Sequence, residues 1–346
     1  MITEPMNTMN AWALVSHDGP PNCFEHVQRP VPEPGPSQVR IAVEGFGLNY
    51  ADVMAARGLY REAPPLPAVI GYDVVGRVEA CGADVPPALY GRRVVAMTRF
   101  GGYAEKAVTD HRACAVIPED LPLGIAAALA TQGATAWYAA RMLCPLSQGE
   151  RVLVHSAAGG VGQLLVQLAL DAGCIVYAVA GGAEKVAHLD RMGAHHVIDR
   201  LKDDVGPALR RMLGAERLDV SFNAVAGRTY RTDMQLLGTG GRLVLFGGAE
   251  RGALGSFGTL RFIWRMGLMV PIFLMMRSRS VLGVNMLRLG DHKPGVVAAC
   301  LAQAVAAHAR GALAPHVHRE YGAAELPQAH MDLERGGTMG KLVVRW

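Results

Sequence analysis

Three glycines near the middle of the chain have the spacing of a phosphate-binding turn. Gly159, Gly160 and Gly162 follow the apolar run 152–154, whose aliphatic residues are typical of a buried parallel strand. From Val161 onward, apolar residues recur at helical spacing. A strand that enters a helix through glycines presents free backbone N–H groups at the helix N-terminus, where the helix dipole also favours an anion. The segment therefore predicts a site for a phosphate-bearing ligand.

The turn differs at one position from the dinucleotide-binding fingerprint G-x-G-x-x-G. Residues 157–162 read Ala-Ala-Gly-Gly-Val-Gly, so alanine stands at the first glycine position. The alternative is an ordinary strand-to-helix turn. Dinucleotide binding is favoured because the turn begins a series of alternating strands and helices. The residues expected to contact the cofactor there are Ala158, Gly159, Gly160 and Val161.

Strand-like and helix-like segments alternate in the middle of the chain. This alternation predicts a doubly wound parallel sheet, the Rossmann architecture. The first third is instead rich in short strands separated by Gly and Pro turns, and no long helix is expected before residue 125. We therefore predict an α/β protein in which residues 130–279 form the Rossmann domain. Residues 1–129 and 280–346 are expected to form a β-rich domain.

Composition excludes several functional classes. The chain has 346 residues, 51% hydrophobic and 18% charged, which is typical of a folded protein of two domains. A net charge of +4 with scattered basic residues gives no reason to expect a nucleic acid partner. The six cysteines form no CxxC pair and follow no recognisable secretory signal. This pattern predicts reduced thiols in a cytoplasmic protein.

One apolar segment, residues 260–276, raises the question of a membrane. Arg261, Arg265 and Pro271 interrupt it, so its uncharged run is shorter than the ~20 residues of a spanning helix. We expect this segment to line a pocket or an interface. A helix on a membrane surface is the less favoured alternative.

A set of short motifs recurs in a fixed order between residues 39 and 346. The motifs are G-L-N-Y-A-D-V-M (47–54), G-L-Y (58–60), L-P-A-V-I-G-Y-D (66–73), G-G-Y-A-E (101–105), H-S-A-A-G-G-V-G (155–162) and G-K (340–341). Together they resemble the medium-chain dehydrogenase/reductase superfamily in its zinc-free quinone oxidoreductase-like branch, and most closely the vesicle amine transport protein homologues. The resemblance implies a GroES-like β-rich catalytic domain with an inserted Rossmann domain and a cofactor in the cleft between them. It also implies a homodimer joined through the edge of the Rossmann sheet.

The residues after the next strand indicate NADPH as the cofactor. Enzymes that prefer NAD place an acidic residue about 20 residues beyond the glycine turn, where it binds the ribose 2′-hydroxyl. Here the strand ends at Gly181, which is expected to contact the cofactor, and no carboxylate stands at this strand tip. Lys185 matches the family's lysine that pairs with the 2′-phosphate, and Arg200 stands where the family often has a tyrosine. Two cations favour NADPH because a phosphate needs charge pairing; the alternative is that both are solvated surface charges.

The positions that bind zinc in metal-dependent relatives hold other residues. By the resemblance, those positions are occupied by Gly47, Tyr72 and Asp73. The segment between Met97 and Gly102 is too short for a cysteine-rich structural loop, and the histidines show no ligand spacing. No catalytic metal is therefore expected, and hydrogen-bond donors must polarise a substrate carbonyl.

The resemblance assigns Asn49 and Tyr60 to the reaction. Asn49 matches the asparagine on the nicotinamide side of the cleft. Tyr60 matches the tyrosine that related enoyl reductases use to donate a proton or to hold the substrate oxygen. The alternative is that Tyr60 is an aromatic residue that only packs. Six further residues match the family's cofactor site more weakly: Thr135, Phe246, Gly247, Val284, Asn285 and Lys341. For Thr135 the alternative is that it only caps a helix.

These residues predict an NADPH-dependent, zinc-independent reductase of quinones or α,β-unsaturated carbonyl compounds. Tyr60 or Asn49 would assist hydride transfer to an activated double bond, and the substrate is expected to be a small apolar carbonyl compound or quinone. Two alternatives stay open. One is a zinc-free alcohol/ketone oxidoreductase, and the other is a cofactor-binding scaffold on a membrane or vesicle surface.

Overall fold

The structure is a computed structural model that describes residues 7–252, 258–267 and 269–346. The strands are β1 (Thr8–Leu14), β2 (Phe24–Pro30), β3 (Gln38–Leu48), β4 (Asp73–Cys81), β5 (Arg93–Met97), β6 (Lys106–Asp110), β7 (Cys114–Val116), β8 (Arg151–Val154), β9 (Ile175–Ala180), β10 (His196–Asp199), β11 (Leu218–Asn223), β12 (Leu237–Leu245), β13 (Ser280–Gly283), β14 (Val317–Gly322) and β15 (Lys341–Arg345). The α-helices are α1 (Tyr50–Ala56), α2 (Leu123–Ala128), α3 (Ala134–Trp137), α4 (Gly160–Asp171), α5 (Ala183–Arg191), α6 (Val205–Leu213), α7 (Arg228–Leu236), α8 (Ala249–Gly252), α9 (Gly258–Met266), α10 (Pro271–Met276), α11 (Met286–His292), α12 (Pro294–Ala309) and α13 (Leu326–Arg335).

The first of two compact units contains residues up to Ala134 together with 286–306 and 315–346. Its main sheet has the strand order β14-β15-β3-β4-β5-β7, and β6 also pairs with β3. Alternate residues of β3, among them Val39 and Ile41, are buried, as expected for a strand with one face on the core. This unit is the β-rich, GroES-like domain that the sequence predicts.

The second unit contains residues 135–285 and 307–314. Its sheet is parallel throughout, with the order β10-β9-β8-β11-β12-β13. Numbered from β8, this is the order 3-2-1-4-5-6 of a Rossmann fold. In such a sheet the ligand binds beyond the carboxyl ends of the strands, where the strand order reverses. The reversal lies between β8 and β11, so the glycine turn after β8 stands at the expected position.

One feature of the fold differs from the sequence-based expectation. β13 pairs with β12, so residues 280–283 belong to the Rossmann sheet and the unit boundary falls at 285/286, not at 279/280. The four residues of β13 do not indicate in the sequence which sheet the strand joins. Its pairing with β12 in the structure decides this. α1 precedes residue 125 but has only seven residues, which agrees with the expectation that no long helix lies in that part of the chain.

The apolar segment 260–276 forms α9 and α10, with residue 268 outside the described part. Its large apolar side chains are exposed, with Trp264 at 74% and Met275 at 75% of full exposure. Such a concentration of exposed apolar surface is unusual for a monomer. None of the described helices has the length and apolar character needed to cross a membrane.

Candidate active site

The glycine turn in the second unit has the backbone geometry of an anion-binding helix start. Gly159 precedes α4 and donates its N–H to the carbonyl of Ser156, at 2.9 Å. A Cβ atom on Gly162 would lie 2.2 Å from the same carbonyl oxygen, so only glycine fits there. The next backbone N–H groups, in the first turn of α4, have no intrahelical partner and are available to a phosphate.

A buried polar network holds the strand that leads into this turn. His155 Nε2 lies 2.9 Å from Oδ1 of Asp233, whose Oδ2 accepts hydrogen bonds from Ser221 and Asn223 at 2.8 and 2.6 Å. The serine hydroxyl bonds to the aspartate and not to the histidine. A histidine that does not contact the serine cannot take its proton, so this Ser/His/Asp set is structural rather than nucleophilic. It ties the end of β8 to β11 and α7.

The two predicted phosphate-binding cations lie together at the tip of β9. A Cβ atom on Gly181 would be 3.1 Å from the guanidinium carbon of Arg200, which therefore lies directly over this glycine. Burial and, next, the positive charge of Arg200 lower the pKa of Lys185. Two cations this close repel each other, and an anion between them would relieve the repulsion. The arrangement fits a phosphate.

Asp199 organises the same strand tip and was not singled out from the sequence. Its carboxylate accepts hydrogen bonds from the backbone N–H groups of Gly182 and Leu201, at 2.9 and 3.0 Å. These bonds lower the pKa of Asp199. The carboxylate of Asp199 therefore holds the backbone of the two loops that follow β9 and β10. It stands at the end of β10, next to Arg200, and not at the end of β9 where NAD-preferring enzymes carry their acid.

The remaining predicted residues of this unit follow other strands of the same sheet. Phe246 and Gly247 come directly after β12, and Val284 and Asn285 come directly after β13. The Val284 N–H donates to the carbonyl of Leu245, at 2.9 Å. Because the carboxyl ends of parallel strands share one sheet edge, these residues lie along the same edge as the glycine turn. Thr135 lies inside the helical run that contains α3, which does not suit a helix-capping role.

In the first unit, Asn49 is held in a buried hydrogen-bonded network. Its Nδ2 donates to Asp73 Oδ2 at 3.0 Å, and its Oδ1 accepts from the Lys341 ammonium at 3.1 Å. The ammonium also lies 2.9 Å from Asp73. The three side chains are buried. Both ends of the amide are therefore fixed, and its second Nδ2 hydrogen has no acceptor among the described residues, so the amide can still donate it.

Lys341 occupies the space that a zinc ligand would need. A Cβ atom on Gly47 would lie 2.0 Å from Cε and 2.6 Å from Nζ of Lys341. The Gly47 N–H donates to Asp73 Oδ1 at 3.1 Å. The residues at the zinc positions therefore do not fit the metal, because a lysine ammonium already pairs with the one carboxylate among them. Among the described residues no group of three or more His, Cys, Asp or Glu side chains could hold a metal ion.

Asp52 is a second buried carboxyl beside this network, and sequence reasoning missed it. Its Oδ2 accepts the Asn49 backbone N–H at 2.7 Å, which caps α1. Its Oδ1 has no hydrogen-bond partner among the described residues. Burial and the nearby charge of Asp73 raise the pKa of Asp52 to about 8. The carboxyl is therefore protonated at neutral pH, which avoids two adjacent negative charges.

Tyr60 is half-buried and packs edge-on against Tyr72, with the ring centroids 5.9 Å apart. Burial, with the charges of Glu62 and Asp52, raises the pKa of Tyr60 to about 12. The phenol therefore keeps its proton at neutral pH and can donate it or a hydrogen bond. Tyr60 is thus both a packing residue and an available donor.

Two parts of the chain match families of dehydrogenase domains. Residues 35–148 match the alcohol dehydrogenase GroES-like domain, and residues 160–302 match the domain described as zinc-binding dehydrogenase. Over 223 residues, the chain is 33% identical to quinone oxidoreductase-like protein 2 of Rattus norvegicus; the match covers 64% of each. The chain spans 10% of the length of a polyketide synthase of Mycobacterium tuberculosis that also matches.

Solved structures match over nearly the whole chain. The quinone oxidoreductase of Thermus thermophilus, determined also as its NADPH complex, is 31% identical with a TM-score of 0.79; the match covers 98% of this chain and 100% of that one. The human synaptic vesicle membrane protein VAT-1 homolog-like protein is 25% identical, with a TM-score of 0.83 and 98% of both chains covered. The chain belongs to the medium-chain dehydrogenase/reductase family, in its quinone oxidoreductase-like branch.

Proposed function

We propose that the protein is an NADPH-dependent reductase of quinones or α,β-unsaturated carbonyl compounds. The observation that carries this proposal is the position of the Lys341 ammonium, which lies beside Gly47 and pairs with Asp73. Because the ammonium occupies the place of the metal in zinc-dependent relatives, hydrogen-bond donors are the groups left to polarise a substrate oxygen. Quinone oxidoreductases that bind NADPH are among the similar solved structures.

The second unit supplies the nucleotide-binding residues. The N–H groups at the start of α4 would hold the pyrophosphate, and Lys185 with Arg200 would hold the 2′-phosphate. Phe246, Gly247 and the residues after β13 would contact the nicotinamide half. When bound, NADPH would supply a hydride from the nicotinamide C4 atom.

The first unit supplies the groups that act on the substrate. The free Nδ2 hydrogen of Asn49 would donate to the substrate oxygen as negative charge develops there. The Tyr60 phenol would supply the proton that completes the reduction and would recover one from solvent. One hydride and one proton convert a quinone to a hydroquinone, or an enone to a saturated ketone.

The direct test is a panel of quinones, enones and enoyl thioesters assayed by NADPH and NADH oxidation. Turnover of at least one class, with NADPH preferred, is the expected result. Tight NADPH binding without turnover of any acceptor would instead favour the cofactor-binding scaffold. Faster oxidation of alcohols with NADP⁺ than reduction of any acceptor would favour the alcohol/ketone oxidoreductase.

We also propose a homodimer formed through β13 and the neighbouring helices α9 and α10. Among the described strands β13 lies at the edge of its sheet, and the helices α9 and α10, which precede it in the chain, expose Trp264 and Phe273. A second copy would cover the apolar helices and pair the open strand edge, whereas a lipid surface would leave that edge unpaired. Light scattering should give twice the chain mass, and Phe273→Glu should reduce it to the monomer. A wild-type monomer that pellets with liposomes would overturn the dimer and support the membrane alternative.

A further inference from the structure

Tyr72 carries a buried hydroxyl without a partner. The side chain is 3% exposed, and its Oη atom makes no hydrogen bond with any described residue. A buried phenol normally finds a hydrogen-bond partner, because its desolvation is otherwise uncompensated. A buried hydroxyl without a partner needs an explanation, and a ligand that supplies the partner is one.

Hydrogen bonds hold the backbone at Tyr72 in place. The Tyr72 carbonyl accepts hydrogen bonds from the Thr98 N–H at 2.8 Å and from Thr131 Oγ1 at 3.3 Å. The next residue, Asp73, begins β4 and bonds to Asn49. Tyr72 is therefore anchored one residue away from the network that holds the proposed catalytic amide.

Three aromatic rings meet at this point, and we call them the aromatic corner: Tyr60, Tyr72 and Phe100. The Tyr72 ring is nearly perpendicular to the Tyr60 ring, with 5.9 Å between centroids, and lies 5.2 Å from the Phe100 ring. Perpendicular and tilted rings at these distances form favourable walls for another flat ring. Aromatic walls of this kind favour a planar conjugated molecule over a flexible aliphatic chain.

The electrostatics keep the Tyr72 hydroxyl protonated. Burial first, and then the nearby charge of Asp52, raise the pKa of Tyr72. A phenol that stays neutral can only donate its hydrogen or accept one, and it adds no charge to the site. The hydroxyl therefore suits a neutral acceptor such as a carbonyl oxygen.

We propose that the Tyr72 hydroxyl donates a hydrogen bond to a carbonyl oxygen of the substrate and that the aromatic corner selects quinones over aliphatic enones. This inference rests on the proposed reductase function and specifies its substrate class. Tyr72 stands at a position where metal-dependent relatives carry a zinc ligand, and its hydroxyl would act there as a hydrogen-bond donor.

The test compares Tyr72→Phe with Tyr321→Phe, a matched removal of a buried phenol in the same unit. The Tyr321 hydroxyl donates to Asp332 at 2.8 Å, so its loss should lower the melting temperature without changing kinetics. Tyr72→Phe removes a hydroxyl that has no partner among the described residues, so the melting temperature should stay the same or rise. Its kcat/KM for the probe 2-methyl-1,4-naphthoquinone should fall at least tenfold, mainly through KM, and by less than threefold for 2-cyclohexenone.

Two outcomes would overturn the inference. One is an unchanged KM for the naphthoquinone in Tyr72→Phe, and the other is a loss of melting temperature as large as that in Tyr321→Phe. Calorimetric binding of the naphthoquinone without NADPH separates this inference from the proposed function. If the wild-type protein binds the quinone but reduces nothing, the reductase proposal fails, while weaker binding by Tyr72→Phe still supports the role of the hydroxyl.

Discussion

The Lys341 ammonium lies 2.9 Å from the Asp73 carboxylate, and both side chains are fully buried. Such a pair is tolerated only when further hydrogen bonds satisfy the remaining polar atoms of both partners. Gly47 and Asn49 provide those bonds to Asp73, at 3.1 and 3.0 Å. The ion pair and the proposed catalytic amide therefore belong to one hydrogen-bonded network, and a change in either should alter the position of the other.

Replacement of Lys341 by methionine should destabilise the protein strongly. It leaves the Asp73 carboxylate buried without its counter-charge, which typically costs about 3–5 kcal/mol of unfolding free energy. Arg345→Met in the same strand is the control, because Arg345 pairs with Glu320 at the surface and such pairs contribute about 0–1 kcal/mol. Urea unfolding of both variants measures the difference. Equal, small losses would show that the buried pair has no special role.

Replacement of Tyr60 by phenylalanine should lower turnover and leave cofactor binding unchanged. The ring and its packing against Tyr72 are kept, while the proton donor is lost. Loss of a general acid typically lowers the rate by about 10²-fold or more. Steady-state kinetics give kcat, and fluorescence titration gives the NADPH dissociation constant. Unchanged turnover would remove Tyr60 from the mechanism.

Lys185→Ala and Arg200→Ala should each weaken NADPH binding selectively. A charge-assisted hydrogen bond to the 2′-phosphate contributes about 1.5–3 kcal/mol, so the KM for NADPH should rise at least tenfold in each variant. The KM for NADH, which lacks this phosphate, should hardly change. Lys202→Ala, which removes an exposed cation of the same loop, is the control. A parallel rise for both cofactors would contradict the phosphate assignment.

Asp52→Asn should change how stability depends on pH. The Asp52 pKa rises from 3.8 to about 8 on folding, chiefly through burial. Between about pH 4 and pH 8 the unfolded chain has lost this proton while the folded protein keeps it, so stability falls as pH rises through that window. Asparagine removes the titration and keeps an acceptor for the Asn49 N–H.

The unfolding free energy of Asp52→Asn relative to wild type should therefore increase with pH. The increase should approach about 1.4 kcal/mol per pH unit between about pH 5 and pH 8. Urea unfolding of both proteins at three pH values in this range provides the comparison. A difference between the two proteins that does not vary with pH would mean that Asp52 is ionised in the folded state.

Local sequence determined the nucleotide-binding half of this protein. The turn at 157–162 and the strand β8 can be recognised from the sequence because the conformation of each depends on residues close by in the chain. Gly162 is required by the carbonyl of Ser156, six residues earlier, and strand alternation is enough to predict a parallel sheet. The absence of an acidic residue at the tip of β9, where Gly181 and Gly182 stand, is likewise visible from neighbouring residues in the chain.

Tertiary structure decided how the residues of the first unit's site contact one another. Lys341 meets Asn49 across 292 residues of chain, and the sequence contains no signal of that contact. The burial of Asp52, the unpartnered hydroxyl of Tyr72 and the sheet to which β13 belongs are likewise products of packing. The physical reason is that hydrogen-bond partners and desolvation depend on distance in space, whereas helix starts, glycine turns and strand patterns depend on distance along the chain.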